Sequence, residues 1–296
     1  MSEPLYAGIE LGGTKTICLI GTGVDTIRDQ LQIPTTNPAD TLGQIHTFLA
    51  SQGELAGIGI GAFGPVNIDP ASANYGCVES TPKPGWSHTP VVPFFRERFS
   101  CPINLDTDVN AAAIAEHQRG NGKGLRNFIY ITVGTGIGGG ALIEGAPVRG
   151  NSHPEMGHIA LPRHMADETF LSACPYHQNC AEGLASGSAL RKRWGMPLNE
   201  FPPEHPAWDM QASYLAEFFH SLTLLFSPQR IIVGGGVSSE QLLARVRTAL
   251  HKKLNGYVDA LKLETSLESY LCLPELAGNA GPLGSLMLAY PEYRRH

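Results

Sequence analysis

The chain has 296 residues, 42% hydrophobic and 16% charged, with 21 basic against 27 acidic side chains and a net charge of −6. That length accommodates two cores, and the acidic balance, with no basic stripe, argues against a nucleic-acid-binding surface. No apolar run approaches the roughly 18 residues of a membrane span, and MSEPLYAGIEL lacks the basic start and long apolar stretch of a secretory signal. A cytoplasmic protein is expected, in which cysteines serve as thiols or metal ligands rather than as a disulfide framework. Cys18, Cys77, Cys101 and Cys272 stand singly and read as core or near-core thiols.

Residues 5–11 (LYAGIEL) and 16–20 (TICLI) are apolar β-like runs around the turn GGTK. Residues 128–145 repeat the plan with FIYITV, the turn GTGIGGG and the return ALIEG. Two related α/β halves are expected, each opening on a glycine-turned hairpin, with Gly21 and Gly145 at matching ends. Between them the pattern predicts a helix over 38–52, a strand at 55–61, a Pro/Gly-rich loop from 64 to 93, a strand at 103–106 and a helix over 109–119. After the second hairpin, 150–182 is irregular and rich in His and Cys. A broad apolar face predicts a helix over 212–226, ending before Pro228. A strand follows at 230–233. Ser238 with Gln241 reads as a capping box for a helix reaching about 254. A strand at 270–273 and a helix from about 280 to 289 finish the chain. Strand doublets followed by helices predict mixed sheets in two domains, 1–115 and 116–279, with 280–296 packing back on the first and a metal-binding loop, 158–182, in the second.

Three glycine turns follow β-like runs. The backbone N–H groups of Gly12–Gly13–Thr14–Lys15 can cradle an anion, since glycine permits unusual φ angles and close approach; an ordinary hairpin turn fits as well. Residues 134–139 match GxGxxG, but strand-like ALIEGAPV follows where dinucleotide binding demands a helix, so only a phosphate-gripping hairpin survives. Gly234, Gly235 and Gly236 lie between a strand and a helix, which suits a ribose or phosphate and also plain strand–helix packing. DTDVN (106–110) sets Asp108 at a helix start. There a carboxylate can cap the helix, act as general base toward a sugar hydroxyl, or do both. His158, Cys174, His177 and Cys180 form H-x15-C-x2-H-x2-C, a closed four-ligand set suited to structural Zn²⁺; the rival is a pair of unrelated thiols or a disulfide. His153 and His164 fall outside that pattern and are expected to be solvated. Glu155, His158 and Glu182, on or beside the loop, are natural partners for sugar hydroxyls.

The stretch Val133 to His158, VGTGIGGGALIEGAPVRGNSHPEMGH, followed by the Cys/His loop and CAEGLASG (180–187), resembles the ROK family of sugar kinases in the actin/hexokinase-like superfamily. GIELGGTK (8–15), TPKPGW (81–86) and DTDVN are similar to its fructokinase branch. The resemblance covers nearly the whole chain. It implies a two-domain actin-like ATPase (ribonuclease H-like) fold with an interdomain cleft and a zinc-bound loop. It also implies a homodimer that uses ATP and Mg²⁺ to phosphorylate D-fructose to fructose 6-phosphate. Asp108 would be the catalytic base. Gly12, Gly13, Thr14 and Lys15, with Gly134, Thr135 and Gly136, would bracket the ATP phosphates; Gly234, Gly235, Gly236 and Val237 would contact the nucleoside, with Ser188 nearby. Thr107, Glu155, His158 and Glu182 would face the sugar, His158 using its second nitrogen on zinc.

Three positions depart from the common family pattern. Thr107 stands where many members carry Asn, which alters one sugar contact and weakens a glucokinase reading. Glu10 stands where Asp is common, which moves a magnesium contact through water. The metal loop reads C-x2-H-x2-C instead of a cysteine-rich C-x-C-G-x2-G-C. The alternatives are a kinase for glucose, mannose or an N-acetylhexosamine, and a sugar-sensing regulator without catalysis. Such regulators carry an N-terminal helix-turn-helix, for which a first strand starting by residue 5 leaves no room. A silent sugar-binding scaffold fits poorly with Asp108 and three glycine turns.

Overall fold

A computed structural model describes residues 3–295. The chain divides into two compact units. One comprises the chain up to Arg119, Pro147–Pro154 and the chain from Asn279; the other comprises Gly120–Ala146 and Glu155–Gly278.

The first unit opens with β1 (Tyr6–Leu11), β2 (Lys15–Gly23), β3 (Thr26–Pro34), α1 (Pro38–Ala50), β4 (Gly57–Ala62), α2 (Val91–Arg96), β5 (Ile103–Thr107) and α3 (Asp108–Arg119). Its sheet has the order β3-β2-β1-β4-β5. β1–β2 and β2–β3 pair antiparallel, whereas β4 pairs parallel with both β1 and β5. The central strands β1 (YAGIEL) and β4 (GIGIGA), covered on both faces, are built mainly of Gly, Ala, Ile and Leu, as two-sided burial demands. β3 (TIRDQLQIP) was hidden in the sequence because it is a largely exposed edge strand whose polar side chains blunt that edge. α2 likewise lies unforeseen at the end of the Pro/Gly-rich stretch. α1 starts where Pro fits the first turn, Asn37 Oδ1 accepting from Asp40 N at 2.9 Å.

The second unit holds β6 (Phe128–Val133), β7 (Ile137–Ile143), β8 (Ala146–Pro147), α4 (Ala181–Ala185), α5 (Gly187–Trp194), α6 (Pro206–Phe226), β9 (Arg230–Gly234), α7 (Glu240–Leu254), α8 (Ser266–Tyr270) and β10 (Leu271–Cys272). Its sheet order is β10-β9-β6-β7-β8. Again the opening hairpin, β6–β7, is antiparallel, and β6–β9 and β9–β10 are parallel. Strand for strand, this is the arrangement of the first sheet, so the weak pattern repeat in the sequence is a repeat of topology.

The last helix, α9 (Ala280–Leu288), belongs to the first unit. It lies so close to the sheet that a Cβ on Gly8 would stand 2.4 Å from Leu286 N, and one on Gly59 2.0 Å from Ser285 O. Glycine at these two positions is therefore a packing requirement. The opposite face of the sheet buries Ile9, Leu11, Ile58 and Ile60 with Ile45, Leu49, Trp86 and Phe95.

Two helix starts differ from expectation. α6 begins at Pro206, where His205 Nδ1 accepts from Ala207 N at 3.2 Å and proline occupies the first turn. Ser239, not Ser238, caps α7 by accepting from Leu242 N at 3.3 Å. Ser238 is occupied elsewhere, its hydroxyl donating to Gly234 O at 2.7 Å. Among the described residues no helix is long and apolar enough to cross a membrane.

Candidate active site

In the first unit, β1, β4 and β5 end together: Leu11, Ala62 and Thr107 share one register. The Gly12–Lys15 turn and Asp108 therefore leave the same end of the sheet, on strands two spacings, or about 10 Å, apart. Carboxyl ends of parallel strands are where open α/β sheets hold ligands. Gly12 N donates to Lys15 O at 3.2 Å, closing the turn, and Thr35 N donates to Thr14 O at 2.9 Å. Thr35 Oγ1 donates to Gly12 O at 2.8 Å and Lys83 Nζ to Gly13 O at 2.5 Å. Burial pushes the proton affinity of the Lys83 ammonium down.

Asp108 is the first residue of α3, and its Oδ1 accepts from Val109 N at 2.9 Å. The capping role falls to Thr107, whose buried Oγ1 accepts from Asn110 N at 3.1 Å. Its neighbour Asp106 is also buried. Asp106 Oδ1 accepts from Thr107 N at 2.8 Å and Asn110 Nδ2 at 2.7 Å, and Oδ2 from Arg149 Nη2 at 2.7 Å. Arg149 comes from the Pro147–Pro154 segment, as does His153, whose Nε2 accepts from Val66 N at 3.2 Å. His153 is thus buried rather than solvated, because its imidazole satisfies a backbone N–H. His164 is only half-exposed, its Nδ1 accepting from Ala166 N. Glu10, at the end of β1, is partly buried. Burial pushes its carboxyl up to about 7 despite the opposing pull of Lys15. Gly281 makes room for it: a Cβ there would sit 1.9 Å from Glu10 Oε1.

In the second unit, β6 and β9 are adjacent and parallel, with Thr132 opposite Gly234. Their glycine turns therefore leave neighbouring strand ends. Val237 N donates to Val133 O at 2.9 Å, which holds the second turn against the first strand. Gly235 has φ +91°, and a Cβ on it would lie 2.4 Å from Val133 O, so no other residue fits. The start of α5 joins the group: Gly187 N donates to Gly134 O at 2.7 Å and Ser188 Oγ to Thr135 O at 2.8 Å. The structure thus brings Gly134, Thr135, Gly136, Ser188 and Gly234–Val237 together. A Cβ on Gly13, Gly134 or Gly236 would meet no described protein atom within 4 Å, and none of the three has a positive φ. Neither packing nor backbone conformation demands glycine there, whereas close approach of a ligand would.

Glu182 links these turns to the metal loop. Its Oε2 accepts from Ile137 N at 3.0 Å and would lie 2.4 Å from a Cβ on Gly136. Its Oε1 is 3.9 Å from His158 Nε2. His158 shares a short 3₁₀ turn with Glu155, whose carbonyl accepts from His158 N at 3.0 Å. The other ring nitrogen, His158 Nδ1, is 3.8 Å from Cys174 Sγ, and His177 Nδ1 is 3.6 Å from the same sulfur. One ligand atom from each of His158, Cys174, His177 and Cys180 lies within 4.8 Å of all the others. Around a tetrahedral metal bound by sulfur at 2.3 Å and nitrogen at about 2.05 Å, neighbouring S and N atoms are about 3.6 Å apart. The residues fit a metal ion. Burial, together with Cys174, pushes the Cys180 thiol up to about 12, so a bound cation is what would draw off its proton. A second anchor holds the loop without metal: buried Asp167 accepts from Arg193 Nε at 2.8 Å and Nη2 at 2.9 Å, and from Tyr214 OH at 2.6 Å.

The sequence reading had not singled out Asp106, Arg149 or Lys83 as contributors. Local signals existed for each: Asp106 stands beside Asp108 in DTDVN, Lys83 lies within TPKPGW and Arg149 within the Val133–His158 stretch.

The chain is similar to known proteins over nearly its whole length. Over 298 aligned residues the chain is 43% identical to a fructokinase of Zymomonas mobilis, covering 97% of each protein. It is 38% identical over 291 residues to a fructokinase of Streptococcus mutans, covering 96% of this chain and 97% of that one. Among solved structures, a ROK family glucokinase from Streptomyces griseus in complex with glucose and AMPPNP superposes with a TM-score of 0.76 at 26% identity, covering 96% and 99% of the two chains. The ROK family pattern extends over residues 6–291, and the chain belongs to that family.

Proposed function

We propose that this protein is a fructokinase, transferring the γ-phosphoryl group of ATP to D-fructose to give fructose 6-phosphate and ADP. Relatives named fructokinase align over nearly the whole chain. The observation that carries the mechanism is the shared strand end in the first unit, from which both Asp108 and the Gly12–Lys15 turn emerge. The Asp108 carboxylate accepts the proton of the attacking sugar hydroxyl as its oxygen bonds to the γ-phosphorus and the bond to the bridging oxygen breaks. Because Thr107 supplies the helix cap, Asp108 is not needed for that task. In the first unit the backbone N–H groups of the Gly12–Lys15 turn are donors suited to phosphate oxygens; in the second unit those of the Gly134–Gly136 turn are suited to the same task, with Ser188 and Gly234–Val237 suited to the nucleoside.

Glu155, His158 and Glu182 take sugar hydroxyls. A Zn²⁺ ion bound by His158, Cys174, His177 and Cys180 supplies structural rigidity. With Nδ1 turned to that cluster, the His158 ring is fixed with Nε2 available to the sugar. Magnesium bound with the nucleotide would neutralise phosphate charge, and Glu10, near the end of β1 before the first turn, is the carboxylate that would face it. Thr107 would offer the sugar a hydroxyl where an Asn would offer an amide, an altered contact that weakens a glucokinase reading, while its Oγ1 also accepts from Asn110 N. Cysteines held as thiols (Cys18, Cys77, Cys101 and Cys272) or as metal ligands (Cys174 and Cys180) suit a cytoplasmic site of action. A coupled ADP-release assay across fructose, glucose, mannose and N-acetylglucosamine tests the reading. Fructose is expected to exceed the others by at least about tenfold in kcat/KM, consistent with buried polar discrimination. No turnover of fructose would remove it.

A further inference from the structure

The motif TPKPGW (81–86) has no role in the reaction described so far. Its anchor is Trp86, which is fully buried, with Nε1 donating to Thr36 O at 2.7 Å and the ring edge-on to Phe63 at 5.2 Å. Pro82 and Pro84 flank Lys83 and restrict the backbone that carries it. From this fixed base Lys83 Nζ reaches two carbonyls, Gly13 O at 2.5 Å and Thr35 O at 3.3 Å, 70 and 48 residues away along the chain. Thr35 is the residue whose own hydroxyl donates to Gly12 O.

A trans peptide points its C=O and the following N–H in opposite directions. Holding Gly12 O on Thr35 and Gly13 O on Lys83 therefore turns the N–H groups of Gly13 and Thr14 away from those partners. A lysine ammonium also brings a full positive charge and three donors, two of which are used here. Resting on the reading that the Gly12–Lys15 turn grips ATP phosphates, we infer that Lys83 is a positioning residue for the nucleotide: it aims the backbone donors of that turn and adds a cation beside it. Lys83 acts through the turn, and TPKPGW is the brace that delivers it.

The test compares wild type with Lys83→Met, Lys83→Arg and Gly12→Ala, measuring KM and kcat for ATP, KM for fructose, and Tm. Lys83→Met removes a charge-assisted bond and should lower kcat/KM for ATP by roughly 10- to 100-fold. KM for fructose should stay within threefold and Tm within a few degrees. Lys83→Arg, which can donate to both carbonyls, should recover most of the loss. Gly12→Ala places a Cβ 2.8 Å from Lys15 O and must distort the turn itself. Lys83→Met with ATP constants within threefold of wild type overturns the inference. So does a parallel loss of ATP use, fructose affinity and Tm, which marks a merely structural residue. If Gly12→Ala loses ATP while Lys83→Met does not, only the role of Lys83 fails. If both leave ATP use intact, the reading of the turn fails with it. Should Lys83→Met fold poorly, Lys83→Gln is judged by the same criteria.

Discussion

Stripping the ion from the His158–Cys174–His177–Cys180 cluster is expected to lower the melting temperature by at least about 4 °C. The S–N separations of 3.6 and 3.8 Å around Cys174 sit near the 3.6 Å of an ideal tetrahedral edge, and all four ligand atoms lie within 4.8 Å of one another, so an ion can draw them together by small side-chain shifts. An ion present at about 100 times its Kd stabilises the folded chain by about 2.7 kcal/mol. Unfolding entropy near 2.1 cal/mol/K per residue gives roughly 0.6 kcal/mol/K for 296 residues, hence about 4 °C. If the second unit melts by itself, roughly 150 residues share the loss and the shift grows to about 8 °C. The damage should be local, because Asp167 stays held by Arg193 and Tyr214. Amide exchange should accelerate around 172–180 and change little around 165–168. The assay is calorimetry and hydrogen exchange before and after chelation, with metal content measured and zinc added back. Metal well below one ion per chain, with a melting temperature indifferent to chelation and to Cys174→Ser, would refute the reasoning.

Gly136→Ala probes Glu182. The new Cβ would lie 2.4 Å from Glu182 Oε2, the mobile end of a side chain, so the carboxylate should swing away and lose Ile137 N. Stability should fall by only about 1 kcal/mol while kcat/KM for fructose drops at least about tenfold; unchanged kinetics would remove Glu182 from the sugar site. Glu10→Gln probes burial at the end of β1. The folded carboxyl, raised from 4.5 to about 7, holds its proton where the unfolded chain has lost it. Its contribution is therefore complete below pH 4.5 and lost as pH climbs through 7, by at most about 3 kcal/mol. Gln mimics the protonated form, so the substitution should flatten this slope and leave the ligand-free variant more stable than wild type at pH 8. Urea titrations that show the same loss of unfolding free energy from pH 5 to pH 8 in both proteins would contradict it.

The two opening hairpins, the run into α3 and the gathering of His158, Cys174, His177 and Cys180 were legible because each is a local pattern with a physical period or spacing. β3 was not, because an exposed edge strand such as TIRDQLQIP shows no apolar alternation. The first turns of α6 were missed because the helix signal was a single His205–Pro206 start rather than an apolar face. The pairings that fix the candidate site were further out of reach. Asp106 meets Arg149 across 43 residues, Gly13 meets Lys83 across 70 and Val66 meets His153 across 87. Such contacts depend on strand register and chain return, which no local spacing encodes. Register also aligns Leu11, Ala62 and Thr107, and so sets Asp108 near the first glycine turn.

The account stands on Asp108 as the group that takes the hydroxyl proton, and Asp108→Asn tests it most directly. With Thr107 still capping α3, the variant should fold with a wild-type melting temperature and bind fructose normally. Its kcat for ATP-dependent fructose phosphorylation should fall roughly 10²–10⁴-fold. Turnover within about tenfold of wild type would contradict the mechanism.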